Sequence, residues 1–383
     1  MIVRELLGSQ LRIGAGILDD AGALVVAHSP ARVYAIITDE TVGTLPIARV
    51  IEEGLRMAAP TARVLSKRIP VGESQKTRQQ WSALTDWLLT EECGRDTTVI
   101  ALGGGVVGDL AGFVAATYLR GVPVVQLPTT LVAMVDASIG GKTGVDTSAG
   151  KNLVGAFHRP ALVLIDPSVL TSLPVEHVRA GLAEVFKHGA IADAGYFHSV
   201  AQQAADLARA PAESARVWWQ TDAACRLIAR SVEIKSEIVA DDERESGRRE
   251  SLNFGHTVAH AIEAVSEFTV LHGHAVSMGM VAESRVGEAL GITVPGTAAL
   301  IRQALEVAQL PTRLGRHLDE EQLVAAMRRD KKARAGETRC AIPRSIGAMA
   351  PVAGNWSAVV SRDAMVTALR AIAPDTAISA FGR

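Results

Sequence analysis

The chain has 383 residues, of which 48% are apolar and 21% charged. This is an ordinary soluble globular composition, and the length predicts two domains rather than one core. A formal net charge of −2 gives no electrostatic reason for nucleic acid or an anionic membrane as partner.

No segment approaches the ~18 uncharged apolar residues needed to span a bilayer, and Met1-Ile2-Val3-Arg4-Glu5 lacks the pattern of a secretory leader. Cys93, Cys225 and Cys340 are too scattered for a disulfide framework or a metal knuckle. A cytoplasmic protein is expected. In chain order, Val33 to Thr38, Thr97 to Leu102, Val122 to Leu127 and Ala161 to Ile165 read as buried strands, with helical patterns at Gln75 to Leu89 and Asp109 to Tyr118. Strand–helix–strand alternation predicts a Rossmann-like parallel-sheet domain over residues 1–174. From Pro174 the texture changes to long 3.6-period helices: Ala180 to Ile191, Ala212 to Val239, Thr257 to Val265, Ala275 to Leu290 and Ala298 to Gln309. A mainly α-helical domain over 175–383 is expected, ending in a weakly patterned, mobile tail from Pro374 to Arg383.

Gly103-Gly104-Gly105-Val106-Val107-Gly108-Asp109 falls where a strand gives way to a helix. In that context the G-x-G-x-x-G spacing seats a pyrophosphate against free N–H groups and a positive helix end. No acidic residue follows about 20 positions later, where an ordinary dinucleotide unit holds a ribose; Asp39, ending an earlier strand, is the candidate instead. Arg120, Lys142 and Lys151 bring three cations into a stretch otherwise poor in charge, among Thr129-Thr130 and the small residues from Asp136 to Gly144. Long exposed lysines need no close-approach backbone beside them, whereas a substrate bearing phosphate or carboxylate does.

Two histidine clusters come next, Asn253-Phe254-Gly255-His256-Thr257 and Leu271-His272-Gly273-His274, downstream of Glu184-Val185-Phe186-Lys187 on a helical pattern. A glutamate and two well-separated histidines form the ligand set of an open zinc site. Asn253, His256, His260 and Glu263 fall at i, i+3, i+7 and i+10, a polar stripe amid Leu252, Phe254, Val258 and Ile262. Such a stripe cannot face a core unsatisfied, so it lines a wet site or binds an ion. His272, expected between a turn and the helix starting at Ala275, closes the triad with Glu184 and His256; His274 competes with it, and His260 is kept as an acid–base or substrate group. Glu184 and Lys187 alone read as a surface ion pair. A dinucleotide together with a divalent metal points to chemistry on an alcohol carbon.

With these residues in place the chain resembles the 3-dehydroquinate synthases of the sugar-phosphate cyclase family, over roughly residues 10 to 350. The matching stretches are Val71-Gly72-Glu73-Ser74-Gln75-Lys76, Gly103 to Asp109, Arg120-Gly121-Val122-Pro123, Leu127-Pro128-Thr129-Thr130-Leu131 and Asp136 to Lys142. They continue with Lys151-Asn152, Gly181 to Lys187, Leu252 to His256, Leu271-His272-Gly273, Asp330-Lys331-Lys332 and Ile342-Pro343-x-x-Ile346-Gly347.

The resemblance implies one divalent metal, zinc or cobalt, at Glu184, His256 and His272. It implies NAD at Gly72, Glu73, Ser74, Gln75, Lys76, Gly105, Val106, Val107, Gly108, Asp109, Thr129, Thr130, Lys142 and Lys151, with Val169, Leu170, Thr171 and Ser172 adding to them. Substrate and catalytic positions fall to Arg120, Asp136, Lys142, Lys151, Asn152, Lys187, Lys235, Arg249, Asn253, His260 and one of Lys331 or Lys332. The implied reaction turns a phosphorylated sugar acid, 3-deoxy-D-arabino-heptulosonate 7-phosphate, into 3-dehydroquinate by transient NAD oxidation, phosphate elimination and intramolecular aldol closure. A homodimer is expected.

Six residues at four places depart from that pattern. His274 stands where the family has glutamate, Thr171-Ser172 replaces Lys-Thr, His188 a tyrosine, and Val258-Ala259 Phe-Gly. The His-Gly-His variant also resembles cyclases that act on sedoheptulose 7-phosphate to make valiolone-type products. Arg249, Asn253, His260 and the Asp330-Lys331-Lys332 block keep the dehydroquinate pattern, since a carboxylate calls for such cations. A metal-dependent polyol dehydrogenase is a further alternative, one with no need for Arg120, Lys151, Arg249 and Lys331.

Overall fold

The structure, a computed structural model, describes residues 1–147, 150–329, 337–349 and 351–374. They fall into two compact units. One comprises Met1–Leu182 with Arg209–Glu243, the other Ala183–Ala208 with the residues from Arg244 on. Residues 175–182 and 209–243 thus group with the first unit, whereas the division read from the sequence falls at 174.

The first unit is built from β1 (Ile2–Leu6), β2 (Ser9–Ile13), α1 (Ala21–His28), β3 (Val33–Asp39), α2 (Pro46–Ala58), β4 (Arg63–Ile69), α3 (Arg78–Thr90), β5 (Thr97–Gly103), α4 (Gly105–Thr117), β6 (Val124–Pro128), the hairpin strands β7 (Lys142–Thr147) and β8 (Gly150–Phe157), and β9 (Leu162–Ile165). Seven strands make one sheet in the order β1-β2-β9-β6-β5-β3-β4, parallel except for the β1–β2 pair. The expected Rossmann-like parallel sheet is therefore present. Side-chain alternation builds its two cores. Val33, Ala35 and Ile37 of β3 pack with Val99 and Ala101 on one face, and Tyr34 and Ile36 with Ile100 and Leu102 on the other. A strand covered on both faces needs no polar alternation, so β3 reads as an unbroken apolar run.

Two of the helix boundaries that differ from expectation do so because a threonine caps a helix. The helix expected from Gln75 begins at Arg78, where the Thr77 side chain accepts the Gln80 N–H at 3.1 Å; Glu73–Gln75 form a separate 3-10 turn. The long helix expected from Ala212 to Val239 is broken. After α5 (Val175–Ala192) and α6 (Ala194–Arg209) come α7 (Ala212–Trp218) and α8 (Asp222–Asp241), with extended Thr221 accepting the Ala224 N–H at the start of α8. A threonine followed by aspartate is a start signal that the helical period overran.

The second unit takes α5 from Ala183 onward and α6, then α9 (His256–Val265), α10 (His272–Ala289), α11 (Thr297–Val307), α12 (Glu320–Arg329) and α13 (Arg362–Ala371). Strands β10 (Arg339–Cys340), β11 (Pro343–Ser345), β12 (Ala348–Met349) and β13 (Ala358–Val359) form two short antiparallel pairs, β10–β13 and β11–β12. The helical character expected of this part is present. α10 packs closely against the start of α9: a Cβ on Gly279 would lie 2.0 Å from the Gly255 carbonyl oxygen, and Gly255 itself has φ +81°. No described helix is long and apolar enough to cross a membrane.

Candidate functional site

In the first unit the glycine turn lies between β5 and α4. Gly104 is the N-cap and offers no side chain to the first N–H groups of α4, which leaves that helix end suited to an anion. The glycines do different work. A Cβ at Gly103 would meet the Val107 side chain at 2.6 Å, and at Gly112 the Thr143 side chain at 2.4 Å. At Gly108 it would meet Gln126 Oε1 at 2.9 Å, where Gln126 Nε2 donates to the Gly108 carbonyl at 3.0 Å. Internal packing explains these three. At Gly105 the nearest atom is Ala137 Cβ at 3.4 Å, an ordinary contact, and no positive φ requires glycine there. Glycine in a helix costs about 0.5–1 kcal/mol against alanine, and the protein's own packing does not ask for it at this position; a ligand approaching the backbone would.

Thr129 and Thr130 follow β6 beside this turn. The Thr129 N–H bonds the Gly103 carbonyl at 2.9 Å, and a Cβ on Gly104 would reach Thr130 at 3.1 Å. Val107 is 2% exposed in the sheet core, so only its backbone can meet a ligand. Asp39 makes a turn: its Oδ1 accepts the Val42 N–H at 2.8 Å. Val169, Leu170, Thr171 and Ser172 lie in a 3-10 turn, Pro167–Ser172, that Asp166 caps.

Several of the expected polar residues converge nearby. Buried Lys76 donates to Asp109 Oδ2 and to Asn152 Oδ1, each at 2.5 Å, while Lys151 Nζ pairs with Glu73 Oε1 at 3.1 Å. The hairpin is tied to this cluster through Asp146, whose N–H donates to the Lys76 carbonyl and whose Oδ1 accepts the Asn152 N–H at 2.8 Å. Burial lowers the Lys76 pKa, but Asp109, Glu73 and Asp146 more than reverse this and hold the ammonium charged. Two expected substrate residues carry left-handed backbone: Asn152 at φ +53°, and Arg120 at φ +67° directly after Leu119 at +49°. Non-glycine residues held there cost of order 1–3 kcal/mol each and cluster at functional sites. Lys235, 8% exposed at its side chain, pairs with Asp136 Oδ1 at 2.7 Å and donates to its carbonyl at 2.5 Å. Asp136 sits in a single π-helical turn, Ala133–Ala137, another feature frequent at functional sites. Lys142 is exposed at the start of β7, and Gly72 has φ +112°.

In the second unit Glu184, His256 and His272 present donor atoms that all lie within 4.8 Å of one another. Glu184 comes from the interior of α5, and each histidine is the first residue of its helix, α9 or α10. His272 is thus helical, three residues ahead of the start expected at Ala275. His274, two residues on in α10, points to a different face of that helix. Asn253 does not continue the stripe of His256, His260 and Glu263. It ends a 3-10 turn, Arg248–Asn253, and left-handed Gly255 intervenes before α9; its side chain donates to Glu245 at 2.8 Å. The Glu184–Lys187 ion pair is in contact but is not on the surface, with side chains 0% and 1% exposed. His260 is half-buried with its ring 5.6 Å from that of His256, and Arg249 is 2% exposed. Asp330, Lys331 and Lys332 lie outside the described residues, as does the tail from residue 375.

The triad's spacing fits a shared ion better than direct hydrogen bonds. His256 Nε2 and His272 Nε2 lie 3.4 and 3.3 Å from the same oxygen, Glu184 Oε1. Hydrogen bonds prefer about 2.9 Å, whereas tetrahedral donors about 2.0–2.2 Å from one zinc stand about 3.3–3.6 Å apart. Each imidazole has an acceptor behind it: His256 Nδ1 is 3.2 Å from the Phe254 carbonyl, and His272 Nδ1 is 3.2 Å from Glu263 Oε1. Burial lowers the His272 pKa, but Glu184 and Glu263 together push it up to about 10. The sequence reading passed over one further carboxylate, Glu283. From α10 it accepts the Gly255 N–H at 2.8 Å and the Val258 N–H at 3.1 Å, and so anchors the helix start that carries His256. The available signal was a glutamate directly after the apolar run Met278 to Ala282, on a helix pattern where a buried charge needs a partner.

Residues 66–180 match the family described as 3-dehydroquinate synthase N-terminal, and residues 181–333 the one described as 3-dehydroquinate synthase C-terminal. The 3-dehydroquinate synthase of Symbiobacterium thermophilum is 46% identical over 336 residues, which is 86% of this chain and 90% of that protein. Among solved structures, the chain is similar to ValA, the 2-epi-5-epi-valiolone synthase of Streptomyces hygroscopicus subsp. jinggangensis, with NAD+ and Zn2+ bound. That protein is 27% identical with a TM-score of 0.83, over 97% of this chain and 98% of its own. A 2-deoxy-scyllo-inosose synthase complexed with carbaglucose-6-phosphate, NAD+ and Co2+ shares the fold at 20% identity and a TM-score of 0.82, over 97% and 99%.

Proposed function

Because the chain belongs to the 3-dehydroquinate synthase family, we propose that it converts 3-deoxy-D-arabino-heptulosonate 7-phosphate to 3-dehydroquinate and phosphate, as a cytoplasmic, homodimeric carbon–oxygen lyase using NAD and one divalent metal. The observation that carries this reading is the spacing of Glu184, His256 and His272 around one oxygen. When bound, the ion supplies a Lewis acid for a substrate hydroxyl, and NAD a hydride acceptor restored within the turnover. We assign the NAD-binding role to residues 1–174 and the metal-binding role to 175–383.

The chain's own residues bind and orient. Gly105 to Asp109 receive the pyrophosphate at the α4 N-terminus, with Gly72 to Lys76, Thr129 and Thr130 beside it and Val169 to Ser172 adding to that set. Lys76, buried against Asp109 and Asn152, serves this set by holding Asn152 rather than by reaching into solvent. Arg120, Lys142 and Lys151 meet the substrate's anionic groups; Asp136 holds the Lys235 ammonium, and Glu184 holds that of Lys187. Arg249, Asn253 and His260 face the carboxylate end and the hydroxyls. The buried thiols of Cys93, Cys225 and Cys340 suit a reducing compartment.

The choice of substrate rests on charge and on relatedness. The heptulosonate phosphate carries about three negative charges at neutral pH against about two for sedoheptulose phosphate, a phosphate's second pKa being about 6. Arg249 supplies a bidentate partner for the extra one, and the 46% identity to a 3-dehydroquinate synthase exceeds the 27% to the valiolone-type synthase. The test is phosphate release from the two sugars by the NAD- and zinc-loaded enzyme, with NADH absorbance followed in parallel. Release from the heptulosonate with no net NADH is the expected result. Equal or faster release from sedoheptulose 7-phosphate would overturn the reading and give His274 the deciding role, while steady NADH accumulation would point to a dehydrogenase.

A further inference from the structure

The two histidines of the metal centre are oriented by different means. His256 has a side chain 11% exposed and a backbone carbonyl, that of Phe254, behind its Nδ1. His272 has a side chain 34% exposed and stands on the first turn of α10, so packing holds it less firmly; behind its Nδ1 is a carboxylate, Glu263, whose side chain is 4% exposed. Glu263 lies two turns beyond His256 on α9, so the helix that presents one ligand also supports the other.

We propose that Glu263 is the positioning residue of this centre: it accepts the Nδ1–H of His272 and thereby keeps the Nε2 lone pair turned toward Glu184 Oε1 and the ion. The inference rests on the metal reading above. A neutral imidazole carries its proton on either nitrogen, and the form protonated at Nε2 would aim a hydrogen at the ion. A carboxylate behind a metal-bound histidine selects the useful form, orients the ring and raises the ligand's basicity. The 3.2 Å from His272 Nδ1 to Glu263 Oε1 and the 3.3 Å from its Nε2 to Glu184 Oε1 place the ring between those two carboxylates.

The experiment measures Zn2+ alone binding to the full, metal-stripped chain by competition with a chromophoric chelator, for wild type, E184A, E263Q and E263A. Replacing such a support should weaken zinc binding about 10–100-fold in E263A, with E263Q between the two because its carboxamide oxygen still accepts the Nδ1–H. The visible spectrum of the Co2+-loaded E263 variants should change with the coordination geometry, which a role confined to packing would not cause. Thermal melts of the stripped proteins identify any failure to fold, and E263Q, nearly the same shape as the parent, decides the matter if E263A does not fold. Zinc affinities of E263Q and E263A within about twofold of wild type, with an unaltered cobalt spectrum, would overturn the role of Glu263 alone. An unchanged affinity in E184A would overturn the metal centre itself.

Discussion

Gly279→Ala puts the geometry of the second unit to a direct test. The added methyl would stand 2.0 Å from the Gly255 carbonyl oxygen, where ordinary contact begins at 3.4 Å, so one side must move by about 1.4 Å. Neither side can move cheaply. Gly279 is fixed in the middle of α10, and Gly255 is held from the same helix by Glu283, which accepts its N–H at 2.8 Å. Pushing the Gly255 peptide away lengthens that bond past hydrogen-bonding range. Overpacking costs about 1–3 kcal/mol and a buried N–H left without its acceptor about 1–3 kcal/mol more. The next residue is His256, a proposed metal ligand, and metal–ligand distances tolerate only about ±0.2 Å. The variant should therefore lose stability by about 2–6 kcal/mol and zinc affinity by at least about tenfold, and a ligand misplaced by about 1 Å should cost about a hundredfold in kcat/KM. Zinc competition and thermal melting of the stripped protein read both effects. Gly195→Ala, whose new methyl meets only Asp193 Oδ1 at 3.5 Å, is the control and should neither weaken zinc binding nor lower the melting temperature. Wild-type zinc affinity and melting temperature in Gly279→Ala would refute the argument that this glycine contact sets the position of His256.

Two further outcomes follow from the same structure. With its pKa pushed from 6.5 to about 10, His272 in the metal-free fold is protonated at neutral pH; its contribution to stability is complete below about pH 6.5 and is lost as pH rises through about 10. Zinc uptake must displace that proton, so affinity should rise about tenfold per pH unit between about pH 7 and 10, with proton release in weak buffer; zinc binding without proton release would contradict the charged His272. In the first unit, Gly105→Ala should weaken NAD binding while leaving the melting temperature of the NAD-free protein nearly unchanged, because the added methyl would make only an ordinary 3.4 Å contact with Ala137 Cβ. Unaltered NAD affinity by calorimetry would make the turn purely structural.

The sheet was legible because buried parallel strands announce themselves. Val33 to Thr38 and Thr97 to Leu102 are short β-branched runs between polar turns, and both faces of β3 and β5 are covered. Helix ends were less legible, since the period of the apolar residues continues through a cap. Nothing in Ala212 to Val239 interrupts the spacing, and the break depends on Thr221 taking an extended conformation and accepting the Ala224 N–H. Capping competes locally with helix continuation, and periodicity does not weigh the two.

At the site, the ligand types were legible and their supports were not. Glutamate and histidine carry their chemistry in the side chain, so Glu184, His256 and His272 stand out wherever the chain puts them. Asn253 was read onto the stripe of His256 by counting residues along an uninterrupted helix. That count fails because Gly255 turns left-handed, and Gly255 turns where α10 brings Gly279 against it from 24 positions away. The roles of Glu263 and Glu283 depend in the same way on partners in other elements. One is a carboxylate inside an apolar stretch and the other ends one, which tells a reader that a partner exists, but only the fold supplies its identity: His272 for Glu263, the Gly255 and Val258 N–H groups for Glu283. A buried charge is costly without its partner, so in a sequence of this kind the glutamates that interrupt apolar runs are the residues to examine once the ligands have been found.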